Sequence, residues 1–363
     1  MIINFLLVHP THYFEFLLQN LNETVKGEHK IRAYFLEEVN TLYPWKSNFR
    51  NGFESEVMDG SFLKLKLFKH LYQEKNSTNI LVGWDRLDKI ILILFFSLFK
   101  RKYLIYTDTP NTYKERPFIL EKLRNLVLYL ISKTSLGIIT TGEIGIEKIK
   151  TWNFKFKNII NLPFYVDNDL FKPNNKNIEP DSKITFFSSG RLLNSHKGYD
   201  VILNALGYLK KENEIGDFKY LIAGEGSDRE QIESLIQSLD LTKEVELLGW
   251  IEPTQLIALY QKSTIFIHPS RFDPYPNAIL EAMACGAAII ASDRAGSAID
   301  RIENWKNGVL FESGNRSSLE ITLKTLLKPE TDLTSIRYNA RRTAMEWPIS
   351  RGIETIKKIS TIK

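Results

Sequence analysis

Thr264-Ile265-Phe266-Ile267-His268, then Ser270-Arg271-Phe272-Asp273-Pro274-Tyr275-Pro276-Asn277-Ala278-Ile279-Leu280-Glu281-Ala282-Met283-Ala284-Cys285-Gly286, then Ala288-Ile289-Ile290-Ala291 reads as strand, proline-bearing loop, helix closed by glycine, and strand. Two short buried strands joined through a helix form the unit of a parallel sheet. The same alternation extends outward almost to both ends of the chain. Ahead of the unit, strands are expected at 184–189, 219–223 and 245–248, and after it at 308–311. Six more are expected in the first half, at 2–8, 31–36, 79–83, 103–107, 137–141 and 158–162. The polar, asparagine-rich stretch between Lys172 and Asp181, bounded by Pro173 and Pro180, cannot bury a face and reads as a linker. The chain of 363 residues is therefore expected to form two α/β domains, 1–172 and 181–347. Trp347-Pro348 should stop a helix at Glu346 or Trp347 and release 348–363 to pack back on the first domain.

In an open parallel sheet, ligands collect at the carboxyl ends of strands. The turn Pro276-Asn277-Ala278 leads there into a helix N-terminus, whose free N–H groups and positive dipole end suit an anion. With Asp273 and Glu281 bracketing it, the anion fits a diphosphate, flanked by carboxylates that accept from sugar hydroxyls; a plain loop with two solvated acids is the alternative. Gly190-Arg191, ending the strand at 184–189, and Lys197-Gly198 supply two cations, a planar fork and a mobile point charge, for a pyrophosphate. Each by itself reads equally as an ordinary surface cation. Gly224-Glu225-Gly226 is a tight strand-to-helix turn or a nucleotide contact, and Gly249-Trp250 offers a flat surface for a base or packs in the core.

The single cysteine, Cys285, excludes an internal disulfide and a multi-cysteine zinc site and fits a reducing, cytoplasmic setting. The net charge of +5 is uneven: residues 1–176 carry 25 Lys/Arg against 18 Asp/Glu, whereas the remainder carries 23 against 25. The basic half suggests an acidic partner, such as a lipid phosphate, an anionic membrane surface or a nucleic acid, with an ordinary solvated surface as the alternative. The longest apolar run, Ile90–Phe99, is too short to span a bilayer; followed by Lys100-Arg101-Lys102 and, further on, by Lys122, Arg124 and Lys133, it reads as an interfacial surface or as a core helix.

Taken in order, Gly190-Arg191, Lys197-Gly198, Ala223-Gly224-Glu225-Gly226, Gly249-Trp250 and the segment from Asp273 to Glu281-Ala-Met-Ala-Cys-Gly resemble the C-terminal domain of the retaining family-4 glycosyltransferases. Thr140-Thr141-Gly142, Leu162–Asp167 and Phe171-Lys172-Pro173 are similar to the interdomain segment of these enzymes. The resemblance implies a GT-B fold, with two Rossmann-like, doubly wound parallel-sheet domains facing a central cleft and a C-terminal helix crossing back. It implies transfer of a sugar from a nucleoside diphosphate sugar, UDP ahead of GDP, to a hydroxyl of a glycan or lipid-linked acceptor, in bacterial surface glycan or glycolipid assembly. No metal or other cofactor and no nucleic acid partner are expected, and the chain is placed in the cytoplasm or on the inner face of the plasma membrane. Arg191 and Lys197 would hold the diphosphate, with Gly190 and Gly224 beside it. Glu281 would take the ribose hydroxyls, Gly249 and Trp250 the base, and Asp273 with Pro276, Asn277 and Ala278 the sugar and phosphate. Arg191, Lys197 and Asp273 would also serve catalysis. Asp273 stands where the family usually has glutamate. Asp108 is the candidate for a catalytic position usually held by histidine, and His9, Thr11 and His12 form the N-terminal loop toward the cleft. A sugar-nucleotide epimerase of the same architecture and an inactive nucleotide-sugar-binding protein are the alternatives.

Overall fold

A strand flanked by parallel neighbours and covered on both faces has no solvent side, so its sequence is a run of apolar residues instead of an alternation. Runs of this kind here become strands within a residue or two of the expected places. The structure, a computed structural model, describes residues 2–37, 52–58, 61–111, 115–174 and 184–362. It divides into two units, Met1–Tyr165 with Ile349–Lys363, and Val166–Pro348.

The first unit contains β1 (Ile2–Leu7), α1 (His12–Thr24), β2 (Lys30–Phe35), β3 (Glu54–Val57), α2 (Ser61–Gln73), β4 (Ser77–Val82) and α3 (Leu87–Leu98). It continues through β5 (Lys102–Thr107), α4 (Phe118–Thr134), β6 (Gly137–Thr140), α5 (Gly142–Lys150) and β7 (Ile159–Asn161). The sheet order is β3-β2-β1-β4-β5-β6-β7 and every pairing is parallel. The direction of winding reverses between β1 and β4. The strand β3 is not among those expected, because Glu54-Ser55-Glu56-Val57 has no apolar signal. It pairs with β2 at the sheet edge, where Glu54 bonds Lys30 (2.6 Å) and Arg32 (2.9 Å), so ladder and charge replace hydrophobic burial.

The second unit contains β8 (Ile184–Ser189), α6 (Asn194–Lys197), α7 (Tyr199–Lys211), β9 (Phe218–Ala223), α8 (Arg229–Ser238), β10 (Val245–Gly249) and α9 (Pro253–Lys262). It continues through β11 (Ile265–His268), α10 (Asn277–Ala284), β12 (Ala288–Ser292), α11 (Gly296–Arg301), β13 (Val309–Phe311), α12 (Arg316–Leu326) and α13 (Leu333–Met345). Its order is β10-β9-β8-β11-β12-β13, again all parallel. Ser227-Asp228-Arg229-Glu230 has the form of a capping box, yet Asp228 makes no side-chain cap on α8. Its Oδ2 accepts from the Asn194 N–H instead (2.8 Å), tying the start of α6 to that of α8.

The division between units falls between Tyr165 and Val166, ahead of the expected linker at 172–181; residues 175–183 lie outside the described part. Residues 166–174 belong with the second unit because α13 holds their backbone. Arg341 donates to the carbonyls of Phe171 (3.0 Å) and Asn168 (3.1 Å), and Asn168 Nδ2 donates to Ala344 O (3.1 Å). After Pro348, α14 (Ile349–Ser360) joins the first unit. It buries Ile353, Ile356 and Ile359 at helical spacing and packs on α1. Gly352 permits the closest approach, since a Cβ there would lie 2.5 Å from Tyr165 Cε2. Replacing Gly352 with Val should therefore destabilise the protein by about 1–3 kcal/mol through overpacking. Thermal unfolding measures this, and an unchanged midpoint would mean that α14 does not bear on the Tyr165 ring.

Candidate active site

Winding in the second unit reverses between β8 and β11, leaving their carboxyl ends uncovered by a connection. Gly190, Gly224 and Gly249 follow or end the adjacent strands β8, β9 and β10, and all have positive φ (151°, 145° and 72°). A side chain at Gly224 would fall on the carbonyl of Gly190, so only glycine lets these two strand ends meet. The result is a terrace of bare backbone at the switch point. Arg191 follows Gly190 directly and is half-buried, and Trp250, after Gly249, is 36% exposed, so it is not a core residue.

Lys197 reaches the same place from the end of α6. Gly198 follows in the left-handed conformation (φ 65°), and a Cβ there would collide with the carbonyl of Pro269. The loop after β11 thus lies against α6, where His196 O accepts from the Arg271 N–H (2.7 Å). Arg271 Nη2 also donates to Asp200 Oδ2 (2.5 Å). Lys197 Nζ donates to Asp273 Oδ2 at 2.5 Å, and His268 Nε2 lies 3.2 Å from the same oxygen and 2.9 Å from Ser270 Oγ. Burial alone would raise the Asp273 carboxyl, but the Lys197 ammonium and the His268 hydrogen bond hold it well below the usual carboxylate range. Burial pushes the His268 imidazole below its ordinary value against the pull of Asp273. Near neutral pH the trio is an ammonium, a carboxylate and a neutral imidazole that donates from Nε2. Backbone bonds fix Asp273 further, its N–H donating to Arg294 O (3.1 Å) and its carbonyl accepting from the Gly296 N–H (3.0 Å).

α10 begins at Asn277, within the turn that the sequence places before a helix, with Pro276 as N-cap and no side-chain cap on its free N–H groups. The Pro276 carbonyl is pinned by Ser297 Oγ (2.8 Å), and Asn277 Oδ1 is buried without a hydrogen-bond partner. One turn on, Glu281 Oε2 accepts from the hydroxyl of Tyr260 on α9 (2.7 Å). With its proton committed there, Tyr260 receives a hydrogen bond from Ser189 Oγ at the end of β8 (2.8 Å). Burial raises the Tyr260 phenol well above its ordinary value, so it remains a donor. Cys285 is buried, its thiol pushed up to about 12 by burial and then by Glu281, so it is not a nucleophile near neutral pH.

The second unit thus gathers Gly190, Lys197, Gly224, Asp273, Pro276, Asn277, Ala278 and Glu281 around one strand-end region, with Arg191, Gly249 and Trp250 at its edge. His9, Thr11 and Asp108 belong to the first unit, where they line a cavity of about 1360 Å³ at the reversal between β1 and β4. Asp108 is exposed beyond the end of β5, whereas His12 begins α1 and points toward Glu15 (3.7 Å). Trp84, Asp85 and the 4% exposed Lys89 share the cavity. Burial lowers the Lys89 ammonium, partly offset by Asp85. Sequence reasoning misses Ser189, Tyr260 and His268 as site partners, and Lys89 and Trp84 in the cavity. Only His268, an imidazole ending an apolar strand near a carboxylate, gives a local hint.

Both Asp273 and His268 carry lowered values, so each supports stability above its ordinary pKa and withdraws that support as the pH falls. The loss begins below about pH 6.5 for His268 and below about pH 4 for Asp273. Thermal unfolding midpoints should therefore decline on acidification, and His268→Gln should make the decline between about pH 6.5 and pH 5 shallower. Superimposable profiles for parent and variant would show that His268 is not held neutral.

Residues 171–343 match the family described as glycosyl transferases, group 1. An uncharacterized glycosyltransferase of Haemophilus influenzae is 28% identical over 239 residues, 65% of this chain and 64% of that protein. A Campylobacter jejuni protein, N-acetylgalactosamine-N,N'-diacetylbacillosaminyl-diphospho-undecaprenol 4-alpha-N-acetylgalactosaminyltransferase, is 30% identical over 163 residues, 45% of this chain and 42% of that protein. The matched part spans less than two thirds of either relative. Among solved structures, Anabaena HepE in complex with UDP superposes with a TM-score of 0.81 over 99% of both chains at 15% identity, a likeness of fold. The group 1 match covers the switch-point glycines, the Lys197–Asp273 pair and α10, and the fold is matched along the whole chain: residues 171–343 are similar to the glycosyl transferases group 1 family, on a chain with the GT-B fold.

Proposed function

We propose that the protein is a retaining glycosyltransferase. It moves a sugar from a nucleoside diphosphate donor, UDP ahead of GDP, to a hydroxyl of a glycan or lipid-linked acceptor in bacterial surface glycan or glycolipid assembly, at the cytoplasmic face of a membrane. The observation that carries this reading is the 2.5 Å pair of Lys197 with Asp273 beside the uncapped N-terminus of α10. Cation, free N–H groups and helix dipole converge where a diphosphate would be neutralised without a metal ion. Glu281, oriented by Tyr260, is suited to the vicinal hydroxyls of a ribose, and the glycine terrace leaves room for the backbone to approach a nucleotide. HepE has been solved with UDP, and with UDP-glucose, which favours a uridine donor here.

In the reaction the bond between the anomeric carbon and the diphosphate oxygen breaks as the acceptor oxygen bonds to that carbon on the same face. The acceptor's proton passes to the departing diphosphate oxygen. Lys197 and Arg191 stabilise the charge that develops on the leaving group, and Asp273 holds Lys197 in place and faces the sugar. Asp108 is proposed on the acceptor side. Transfer to an acceptor separates this reading from epimerisation, which needs donor alone, and from nucleotide binding without turnover.

Protection against thermal unfolding by UDP and GDP, followed by transfer assays with the corresponding sugar nucleotides, tests the reading. UDP at about 100 times its Kd should add about 2.7 kcal/mol. Arg191→Ala and Lys197→Ala should each weaken UDP binding by about tenfold to a hundredfold, as loss of a charge-assisted hydrogen bond does. Unaltered affinity in both variants would remove the diphosphate from this place. Tyr260→Phe, which leaves Glu281 in position but unbraced, should weaken binding by about two- to tenfold. Glu281→Gln should lower the rate at sub-saturating donor, and equal rates would take Glu281 out of the donor site.

A further inference from the structure

Thirteen of the 21 large hydrophobic residues that are exposed among the described residues lie on one layer of the first unit, formed by α2, α3, α4 and the turn after α3. α3 has two apolar faces. Leu92, Ile93 and Phe96 are buried against the sheet, while Leu87, Ile91, Leu94 and Leu98 form an outward stripe at helical spacing, 46–75% exposed. Phe118, Ile119, Leu120, Leu123, Leu126 and Tyr129 do the same along α4. Ser97 Oγ and Thr134 Oγ1, 2.9 Å apart, hold the two helices side by side, so the stripes adjoin. A helix that needed only to cover the sheet would carry polar residues here.

The charges of this face are sorted by sign. Lys122 Nζ sits 4.3 Å above the Phe118 ring, Lys133 Nζ 5.5 Å from that of Tyr129, and the Arg101 guanidinium 5.2 Å from that of Tyr72. Each cation rests on an exposed aromatic ring, as amphipathic side chains do at a lipid interface. Lys100 and Lys102 stand exposed just past α3. The acids of α3 and α4 are Asp88 and Glu121, bonded to Arg86 (3.0 Å) and Arg124 (2.7 Å). Among the described residues no helix is long and apolar enough to cross a membrane.

We propose that the outward face of α3 and α4 docks on an anionic bilayer, its apolar stripes entering the interface and its lysines meeting lipid phosphates. A symmetric dimer through this face would press the cationic rim against its own copy, whereas anionic headgroups complement it. The inference deepens the functional reading, because Leu120 and Leu123 lie both on this face and on the rim of the cavity that contains Lys89 and Asp108. An acceptor carried in the membrane would reach that cavity along the docked face.

Co-sedimentation of the full chain with phosphatidylcholine vesicles containing graded phosphatidylglycerol tests it. Binding should grow with anionic content and fall steeply toward about 0.5 M salt. Changing Lys100, Lys122 and Lys133 to Gln should lower partitioning about fivefold per residue. The set Ile91→Gln, Leu94→Gln and Leu98→Gln should lower it at least about tenfold at every salt concentration. All six positions are exposed, and protection by UDP, which reads the second unit, should be unchanged in both variants. No binding at low salt, or binding indifferent to the α3 substitutions, would overturn the proposal. A dimer in solution that these substitutions dissociate would also overturn it and assign the face to a second copy. Vesicle binding without UDP protection in the parent would strike the glycosyltransferase reading and leave the docking surface standing.

Discussion

The ion pair between Lys197 and Asp273 joins the two halves of the second unit's sheet across the point where its winding reverses. Lys197 arrives from the β8 side and Asp273 from the β11 side, 76 positions later. Largely shielded charges of this kind are costly to desolvate, and removing one partner strands the other. The pair is tenable because its surroundings are already shaped for it. Gly198 turns left-handed against Pro269, His268 supplies a second hydrogen bond to the carboxylate, and the Asp273 backbone is bonded on both sides. With this much geometry devoted to one charge pair, the fold holds a cation ready at a strand end.

Much of this is legible in the amino-acid sequence. Buried parallel strands announce themselves as β-branched runs, and glycines that must sit at strand ends stand out because no other residue fits them. The segment from Asp273 to Gly286 can be read as loop and helix because proline, asparagine and a closing glycine are local signals. What escapes such reading is nonlocal. Nothing around Tyr260 reveals that its hydroxyl will meet Glu281, 21 residues on, and Ser189, 71 residues back. Asp228 satisfies a capping pattern but finds a better-placed donor in Asn194, 34 positions away. The expected linker begins at Lys172, yet bonds from Arg341 to the carbonyls of Phe171 and Asn168, from Asn168 to Ala344 O and from Gln261 to Lys172 O tie the chain on both sides of Phe171 to the second unit.

The two units repeat one architectural solution with different chemistry. Each sheet reverses its winding once, and each reversal opens a place at the carboxyl ends of strands. In the second unit that place carries glycines, cations and a helix N-terminus, a combination suited to phosphate. In the first it is a cavity with Trp84, Tyr106 and Phe164 on its walls and Asp85, Asp108 and Lys89 among them, rings and mixed charges suited to a polar ligand with flat apolar faces. α3 and α4 contribute Lys89, Ile90, Leu120 and Leu123 to the walls of this cavity, so the exposed apolar surface adjoins it. The group 1 match lies within the second unit, while the fold is shared along the chain.

The proposed chemistry stands or falls with the binding of a nucleoside diphosphate at the reversal between β8 and β11. A crystal structure of the protein with UDP decides it. Phosphate oxygens should lie within hydrogen-bond distance of Lys197 Nζ and the first N–H groups of α10, with the ribose hydroxyls on Glu281. UDP seated in the cavity of the first unit, or bound in the second unit away from Lys197 and α10, would contradict it.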